Sequence, residues 1–332
     1  MKSKNKLIVV VGMHRSGTNL VAKTINDLGV DIGKDFIDKA EDNIKGFREN
    51  RDLNSINIKF LHAIGSEWDR VGVTSINQEN PAICQLMREA ENILKNAVKN
   101  KSIFGLIDPR VSILLPVWST IFQKLELVPN YIICLRNPLN VIESLAKRNN
   151  FHPVKSELLW LKYNLETALA TAKYNHLFVN YDRLIDETHY EIRRLSSFIH
   201  GLNRNDCESS LAKLNIDRNL RHSVFTYEDL MSSTLLDMTK ELYKILLTCQ
   251  NDKLDTEKIN DFLIIKCNQY IALHRILDYI DELDMTNTEL KSHAIKLHMG
   301  YLEKERLYNL VVNSVSWALT SPFRFISRLL RK

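Results

Sequence analysis

Long hydrophobic runs are absent from this sequence. No apolar stretch among its 332 residues approaches the ~20 that a membrane-spanning helix requires, so we expect a chain that does not cross a bilayer. Lysines at the amino terminus precede a short apolar run that imitates a signal peptide. That run ends at Gly12 and is better interpreted as a strand, which favours a cytoplasmic location.

Cysteine is scarce and charge is modest. The five cysteines are odd in number and widely spaced, and no CxxC or Cys/His cluster could bind zinc. This pattern indicates a reducing compartment and no structural metal. The formal net charge is only +5 and blocks of like charge are short, so no dedicated nucleic-acid binder is predicted. A mildly positive net charge is equally compatible with an anionic small-molecule ligand.

Short apolar runs alternate with amphipathic stretches along the first part of the chain. The runs, which predict buried parallel strands, are Leu7–Val11, Ile103–Ile107, Tyr131–Leu135 and Leu177–Tyr181. The stretches long enough for crossover helices include Asn19–Leu28, Asn80–Val98 and Glu157–Ala172. The alternation predicts a doubly wound α/β domain over residues 1–250. Ligands of such sheets bind outside the carboxyl ends of the strands, so the residues after each strand are the first candidates.

A glycine-bounded loop follows the first predicted strand. It reads Gly12-Met13-His14-Arg15-Ser16-Gly17-Thr18-Asn19 and precedes a predicted helix, a context in which backbone N–H groups and the helix dipole bind an anion. A nucleoside-triphosphate loop would carry lysine where Thr18 stands. The cation is instead Arg15, which suits a phosphate–sulfate bridge better than a triphosphate tail. The alternative is a glycine turn with an incidental arginine.

The loop resembles the phosphosulfate loop of the PAPS-dependent sulfotransferase family, whose bacterial members commonly read GMHRSGT. Three later segments also resemble that family, in the same order: residues 132–144 (IICLRNP through Ser144), 159–164 (LWLKYN) and 178–184 (FVNYDRL). The resemblance therefore covers most of residues 7 to 200. The resemblance implies a P-loop-like fold and an enzyme that transfers a sulfuryl group from 3′-phosphoadenosine 5′-phosphosulfate (PAPS) to an acceptor hydroxyl.

The resemblance also implies roles for individual residues. Arg136 and Ser144 correspond to the 3′-phosphate site, and Tyr181 contacts the adenine or simply packs at the sheet edge. The full set implied to bind PAPS is Gly12, Arg15, Ser16, Gly17, Thr18, Asn19, Arg136, Ser144 and Tyr181. Arg15 is also expected to act in catalysis, by neutralising charge on the leaving phosphate. Because sulfate carries less charge than phosphate, no metal is expected.

The acceptor hydroxyl benefits from a general base. We choose Glu49, because residues 46–52 (GFRENRD) resemble a Gly-aromatic-x-Glu segment of the bacterial enzymes. The alternative is a solvated charge cluster that caps the following helix. His14 competes, since an imidazole is well poised near neutral pH. Asp108 and Arg110 are expected to orient the acceptor, although Asp-Pro after a strand also begins ordinary turns.

A helical extension is predicted for residues 251–310. Leu273 begins one seam of a seven-residue repeat and Ile276 begins the other, which favours a coiled coil over a helix that packs on its own domain. Asn287 stands at an otherwise apolar seam position and predicts a parallel homodimer.

Residues 311–332 form a basic amphipathic tail in this interpretation. Trp317 and the phenylalanines would insert into an anionic membrane surface; the basic residues on one helix face are Arg324, Arg328, Arg331 and Lys332. The segment resembles the Ser-x-Ser-Trp-x-Leu-Thr-x-Pro tail of many bacterial polysaccharide-assembly enzymes. That resemblance implies a glycan or lipid-linked glycan acceptor and a peripheral location at the inner face of the membrane. A helix docked on the chain's own core is the alternative.

Two other functions compete with sulfuryl transfer. A nucleotide kinase with a degenerate loop would need a Mg²⁺-binding carboxylate and a lysine in place of Thr18. A non-enzymatic tether would carry the helical extension to a membrane complex on a relic α/β domain. The presence of Arg15, Arg136 and Ser144 argues against such decay.

Overall fold

A four-stranded parallel sheet forms the centre of the protein in the computed structural model, which describes residues 6–37, 48–201, 224–249 and 256–330. The strands are β1 (Lys6–Gly12), β2 (Ile103–Ile107), β3 (Pro129–Leu135) and β4 (His176–Asn180), in the order β2-β1-β3-β4. Val10 in β1 pairs with Ile107 on one side and Ile132 on the other. The four predicted strands are confirmed.

Helices cover both faces of this sheet. They are α1 (Thr18–Asp27), α2 (Arg51–Ala63), α3 (Pro81–Val98), α4 (Val111–Lys124), α5 (Pro138–Asn149), α6 (Pro153–Thr171), α7 (Tyr181–Asp186), α8 (Thr188–His200), α9 (Tyr227–Ser232), α10 (Asp237–Thr248), α11 (Thr256–Ala272), α12 (His274–Val312), α13 (Val315–Leu319) and α14 (Ser321–Leu330). Helices α1 and α8 share a core with Ile8, Val10 and Ile132, and α4 and α6 pack on the sheet as well. The doubly wound α/β class is therefore confirmed.

Strand β1 lies at the middle of the sheet and is buried throughout. Residues 7–11 are all 0% exposed, so both faces of the strand need apolar side chains, and the run Leu-Ile-Val-Val-Val supplies them. Several helices begin at a side-chain cap followed by proline. Asn80, Asn137 and His152 each accept from a backbone N–H two residues on, and the proline that follows each cap has no N–H to lose.

Contacts within the chain define two units, Met1–Leu277 and Asp278–Lys332. The first unit extends beyond the boundary at residue 250 that the sequence predicts, because α11 packs on α6. Tyr270 in α11 is buried and its hydroxyl donates to the Val71 carbonyl at 2.7 Å. The second unit contains most of α12, together with α13 and α14. None of the helices in the described ranges is both long and apolar enough to span a membrane.

Candidate functional site

The glycine-bounded loop lies at the carboxyl end of β1, where its backbone requires glycine at both ends. Gly12 has φ +139, and a β-carbon there would stand 2.6 Å from the Cys134 carbonyl oxygen. Gly17 has φ +94, and its β-carbon would stand 2.3 Å from Cδ2 of Tyr181. Between them Arg15 adopts a left-handed φ of 69, which side chains rarely tolerate. The loop is therefore a strained, tightly packed turn of the kind found at ligand sites.

Two polar atoms of this loop are buried without a hydrogen-bond partner. They are the Ser16 hydroxyl oxygen and Nε2 of His14, in side chains that are 1% and 9% exposed. A buried polar atom without a partner costs about 1–3 kcal/mol, so a ligand that bonds to both would recover that cost. Helix α1 begins directly after them, and its amino-terminal end has no side-chain cap and no acidic residue in the first turn. This arrangement fits a phosphate or sulfate group.

Arg15 of the loop meets Ser144 from α5 and Arg136 from the end of β3. Nε of Arg15 donates to the Ser144 hydroxyl at 2.8 Å. Nη1 of Arg136 donates to the Arg15 carbonyl at 3.0 Å, and its guanidinium lies 4.3 Å from the centre of the Tyr181 ring. Residues from four separate sequence segments therefore form one cationic cluster beside the loop, which we call the arginine cluster.

Helices α2 and α4 bring a second set of polar residues to the same end of the sheet. Asp108 follows β2 and is 0% exposed, and its carboxylate accepts four hydrogen bonds. Asn54 and Asn57 each donate one from α2, at 3.1 and 3.0 Å, and the backbone and Nη1 of Arg110 donate the others. The indole of Trp118 in turn donates to Asn57 at 2.8 Å, which fixes that amide.

Glu49 belongs to this second set, the carboxylate cluster. Its Oε2 accepts from Nδ2 of Asn54 at 2.9 Å and from Nη1 of Arg110 at 3.4 Å. The Glu49 side chain is 7% exposed, and burial, followed by the negative charge of Asp108, raises its pKa to about 8. Arg110 opposes this shift without cancelling it. Glu49 therefore holds a proton at neutral pH and becomes a comparatively strong base once it ionises.

His14 of the loop lies among aromatic rings. Its ring centre lies 4.4 Å from the Trp68 ring and 5.9 Å from the Tyr163 ring. Burial lowers the pKa of His14 well below its usual value, and the positive charge of Arg110 lowers it further. The imidazole is therefore neutral at neutral pH.

The segment that carries Trp68 is fixed at each of residues 68–72. The bonds run from Tyr163 to the Trp68 carbonyl, from Lys155 to the Asp69 carboxylate, from Lys162 to the Arg70 and Gly72 carbonyls, and from Tyr270 to the Val71 carbonyl. Three of these donors lie on α6, so that helix holds the segment as a rigid unit. The Trp68 ring also stacks on Phe151 at 5.7 Å, which leaves His14 little freedom to turn.

Two additional bonds join the loop and α1 to residues that neighbour the carboxylate cluster in sequence. The Ser112 hydroxyl, in the first turn of α4, accepts from the Gly12 backbone N–H at 2.9 Å. On the other side, Oδ1 of Asn19 in α1 accepts from the backbone N–H of Arg48, the residue before Glu49, at 3.1 Å. A displacement of the loop would therefore disturb the carboxylate cluster as well.

No protein-family model matches this chain, and no curated protein does. Solved structures do match. The sulfotransferase domain from the Synechococcus PCC 7002 olefin synthase is 14% identical, with a TM-score of 0.41, over 76% of this chain and 98% of that one. The sulfotransferase domain from the curacin biosynthetic pathway is 13% identical, with a TM-score of 0.35, over 78% and 97%.

The structure brings the predicted site residues into the two clusters described above. Arg15, Arg136, Ser144 and Tyr181 meet in the arginine cluster, although they are far apart in sequence. Glu49, Asp108 and Arg110 meet in the carboxylate cluster. Thr18 is buried at the first position of α1. Within the described ranges, no group of three or more histidine, cysteine or acidic side chains is placed to hold a metal ion.

Several residues of the site were missed in the sequence. Asn54 and Asn57 lie three residues apart among the buried apolar positions of α2, and two amides on an apolar helix face are the signal that could have identified them. Ser112 is the second residue of α4, four positions after Asp108. A single serine there gives no comparable sequence signal. Trp68 lies outside the helices and strands. Only its closeness in space to the His14 ring shows that it belongs to the site.

Proposed function

We propose that this protein is a PAPS-dependent sulfotransferase that acts on an acceptor hydroxyl. The observation that carries the proposal is the loop after β1, with its unpartnered Ser16 hydroxyl and His14 nitrogen beside the arginine cluster. A triphosphate-binding loop would place lysine at the position of Thr18, and this chain has none there. PAPS, when bound, supplies the activated sulfuryl group and a bisphosphate leaving group.

The chain's own residues would divide the binding task in this proposal. Ser16 and the first N–H groups of α1 would bind the phosphosulfate, and Arg15 would neutralise the charge that develops on the leaving phosphate. Arg136 and Ser144 would bind the 3′-phosphate. Tyr181 would contact the adenine. Gly12, Gly17, Thr18 and Asn19 would shape the loop and present its backbone.

Sulfuryl transfer requires that the acceptor oxygen be held in line with the bond that breaks, and it requires a group that accepts the hydroxyl proton. The acceptor oxygen forms a bond to sulfur, the bond from sulfur to the bridging phosphate oxygen breaks, and the bisphosphate leaves with its electron pair. The hydroxyl proton passes to Glu49, which Asn54 and Arg110 hold in position. His14 is the second candidate for this proton, because its neutral imidazole is available at a pH where Glu49 is still protonated.

We propose a glycan or lipid-linked glycan as the acceptor, ahead of a small metabolite or a lipid. The support comes from the carboxyl-terminal segment, whose sequence resembles the tails of bacterial polysaccharide-assembly enzymes. Incubating the protein with sulfur-labelled PAPS and candidate glycan fractions tests the acceptor class. Label recovered in a small-molecule fraction but in no glycan would show that the acceptor is a small molecule. The proposal that PAPS is the donor would then still hold.

A binding experiment separates sulfuryl transfer from its rivals. We expect adenosine 3′,5′-bisphosphate to bind in EDTA, and Ser16→Ala to weaken binding about 10- to 100-fold through loss of a bond to a charged group. Ser156→Ala is the matched control, because its hydroxyl is also buried without a partner but lies in α6, outside the loop. Mg²⁺-dependent binding of ATP in place of the bisphosphate would favour a kinase. Failure to bind either nucleotide would favour a tether.

A further inference from the structure

The carboxyl-terminal segment has charge of only one sign. Glu305 is the last acidic residue of the chain, and the basic residues that follow it are Arg306, Arg324, Arg328, Arg331 and Lys332. Arg331 and Lys332 lie outside the described residues. An exposed segment of this kind is attracted to a negatively charged surface and is repelled by a second copy of itself.

Helices α13 and α14 also expose a continuous apolar stripe. It consists of Val315, Leu319, Phe323 and Ile326, which are 75%, 72%, 73% and 52% exposed. Their spacing of four, four and three residues is that of one helix face, and only Thr320 separates the two helices. The stripe runs for about 17 Å at the usual rise per residue. Isolated exposed apolar residues are ordinary, but four in a row along one face mark an interaction surface.

Arg324 fixes the basic side of the same segment. Its guanidinium lies 3.8 Å from the centre of the Trp317 ring and donates to the Trp317 carbonyl and the Thr320 hydroxyl. These bonds brace α14 against α13. Helical spacing places Arg324 opposite the stripe. Trp317 therefore lies on the basic side of the segment. The sequence predicts it instead among the residues that insert into the membrane.

We propose that α13 and α14 form an amphipathic surface that binds anionic lipid bilayers. The stripe enters the boundary between headgroups and acyl chains, while Arg324 faces the lipid phosphates. Such a bilayer matches both sides of the segment, an apolar layer for the stripe and negative charge for the arginines. A second copy of the segment does not, because residues 306–332 contain no acidic residue to meet those arginines. This proposal is independent of the enzymatic activity.

Flotation with lipid vesicles tests the proposal on the full chain. We expect the protein to float with vesicles of phosphatidylcholine containing 30% phosphatidylglycerol at low salt, and much less with pure phosphatidylcholine. Leu319→Glu with Phe323→Glu should abolish flotation. Arg324→Gln with Arg328→Gln should lower the partition coefficient about 25-fold, or roughly fivefold for each charge. Val128→Glu is the control, because Val128 is 63% exposed in the first unit, and it should float as the wild type does.

Two outcomes would overturn the proposal. The first is flotation by the Leu319→Glu, Phe323→Glu variant at the wild-type level; the second is no flotation of the wild type with anionic vesicles. Retained helix content by circular dichroism would show that the variants are folded. Nucleotide binding by the same samples would report on the sulfotransferase proposal separately.

Discussion

The Tyr181 ring packs against Gly17 so closely that a β-carbon on the glycine would stand 2.3 Å from it. Tyr181 begins α7 at the end of β4, and Gly17 ends the loop after β1, so this contact joins the two ends of the candidate nucleotide site. Arg136 covers part of the same ring. A shift of the tyrosine would therefore move a cation of the site as well.

We predict that Gly17→Ala impairs bisphosphate binding far more than Gly29→Ala does. The two glycines have φ of +94 and +91, so alanine suffers similar backbone strain at both, about 1–2 kcal/mol. Gly29 has open space around the added carbon, whereas Gly17 has Tyr181. Calorimetry should show at least tenfold weaker binding for Gly17→Ala and a change within about twofold for Gly29→Ala. Equal affinities would mean that the Tyr181 contact does not shape the site.

The two arginines of the site should affect different kinetic constants. We predict that Arg15→Ala mainly lowers kcat, because Arg15 meets charge that develops during transfer, and that Arg136→Ala mainly raises KM for PAPS. A charge-assisted hydrogen bond contributes about 1.5–3 kcal/mol, so each effect should be about 10- to 100-fold. Arg193→Ala, on the exposed side of α8, is the control. Wild-type kinetics in both site variants at subsaturating PAPS would refute the assignment.

Much of this arrangement was predictable because its signals are local. Residues 7–28 alone predict a continuous apolar strand, a turn that needs glycine and a following helix. The loop motif lies within the same residues. The positions of Arg136 and Ser144 followed from a second local motif. Their contact with Arg15 has no local signal, since 129 positions separate Arg15 from Ser144.

The carboxylate cluster could be predicted only in part. Glu49 stands in a different sequence pattern from Asp108 and Arg110, and nothing local shows that Arg110 bonds to both carboxylates. Asn54, which donates to both carboxylates, escaped notice because its partner Asp108 is 54 residues away. The raised pKa of Glu49 depends on burial and on the charge of Asp108, and both arise only when α2 packs on α4 and its Asn54 bonds to Asp108.

We predict that Glu49→Gln lowers the rate of transfer about 100-fold or more while bisphosphate affinity is kept, as loss of a general base usually does. In the wild type the rate should rise about tenfold per pH unit below pH 8 and level off above it, because only ionised Glu49 accepts the proton. The rate of Glu49→Gln should lack this rise.

Two variants identify the group responsible for that pH dependence. Glu166→Gln removes a different carboxyl, whose pKa burial raises to about 7, and should retain the rise. Full turnover in Glu49→Gln, together with its loss in His14→Ala, would transfer the role of base to His14.

The contribution of Glu49 to the free energy of unfolding should fall as pH rises, whereas the rate of transfer should rise. The pKa of Glu49 is about 8 in the folded chain and near 4.5 in the unfolded one, so the folded state binds the proton more tightly. That contribution to the free energy of unfolding is complete below about pH 4.5 and is lost as pH rises to about 8. We predict that the wild type loses stability relative to Glu49→Gln between pH 5 and pH 9. Urea unfolding at both pH values measures it; a constant difference would contradict the raised pKa.

The last prediction concerns α12, whose seven-residue repeat leaves an apolar seam in solvent. Ile276, Leu283, Leu290 and Leu297 are 58%, 45%, 61% and 66% exposed and stand seven residues apart. Asn287 lies at the other seam position, where a buried amide selects two parallel strands over larger assemblies. We therefore predict a homodimer through α12.

Light scattering at micromolar concentration measures the mass directly. Leu290→Glu with Leu297→Glu should give a monomer, because two charges would enter the apolar seam of each chain. Ile295→Glu is the control, since Ile295 is 64% exposed but lies one position beyond the Ala294 seam position, and it should remain dimeric. Asn287→Leu should raise the thermal stability of the assembly and broaden its mass distribution, because the amide that restricts the number of strands is gone. A monomeric wild type, or a dimeric Leu290→Glu, Leu297→Glu variant, would exclude assembly through this helix.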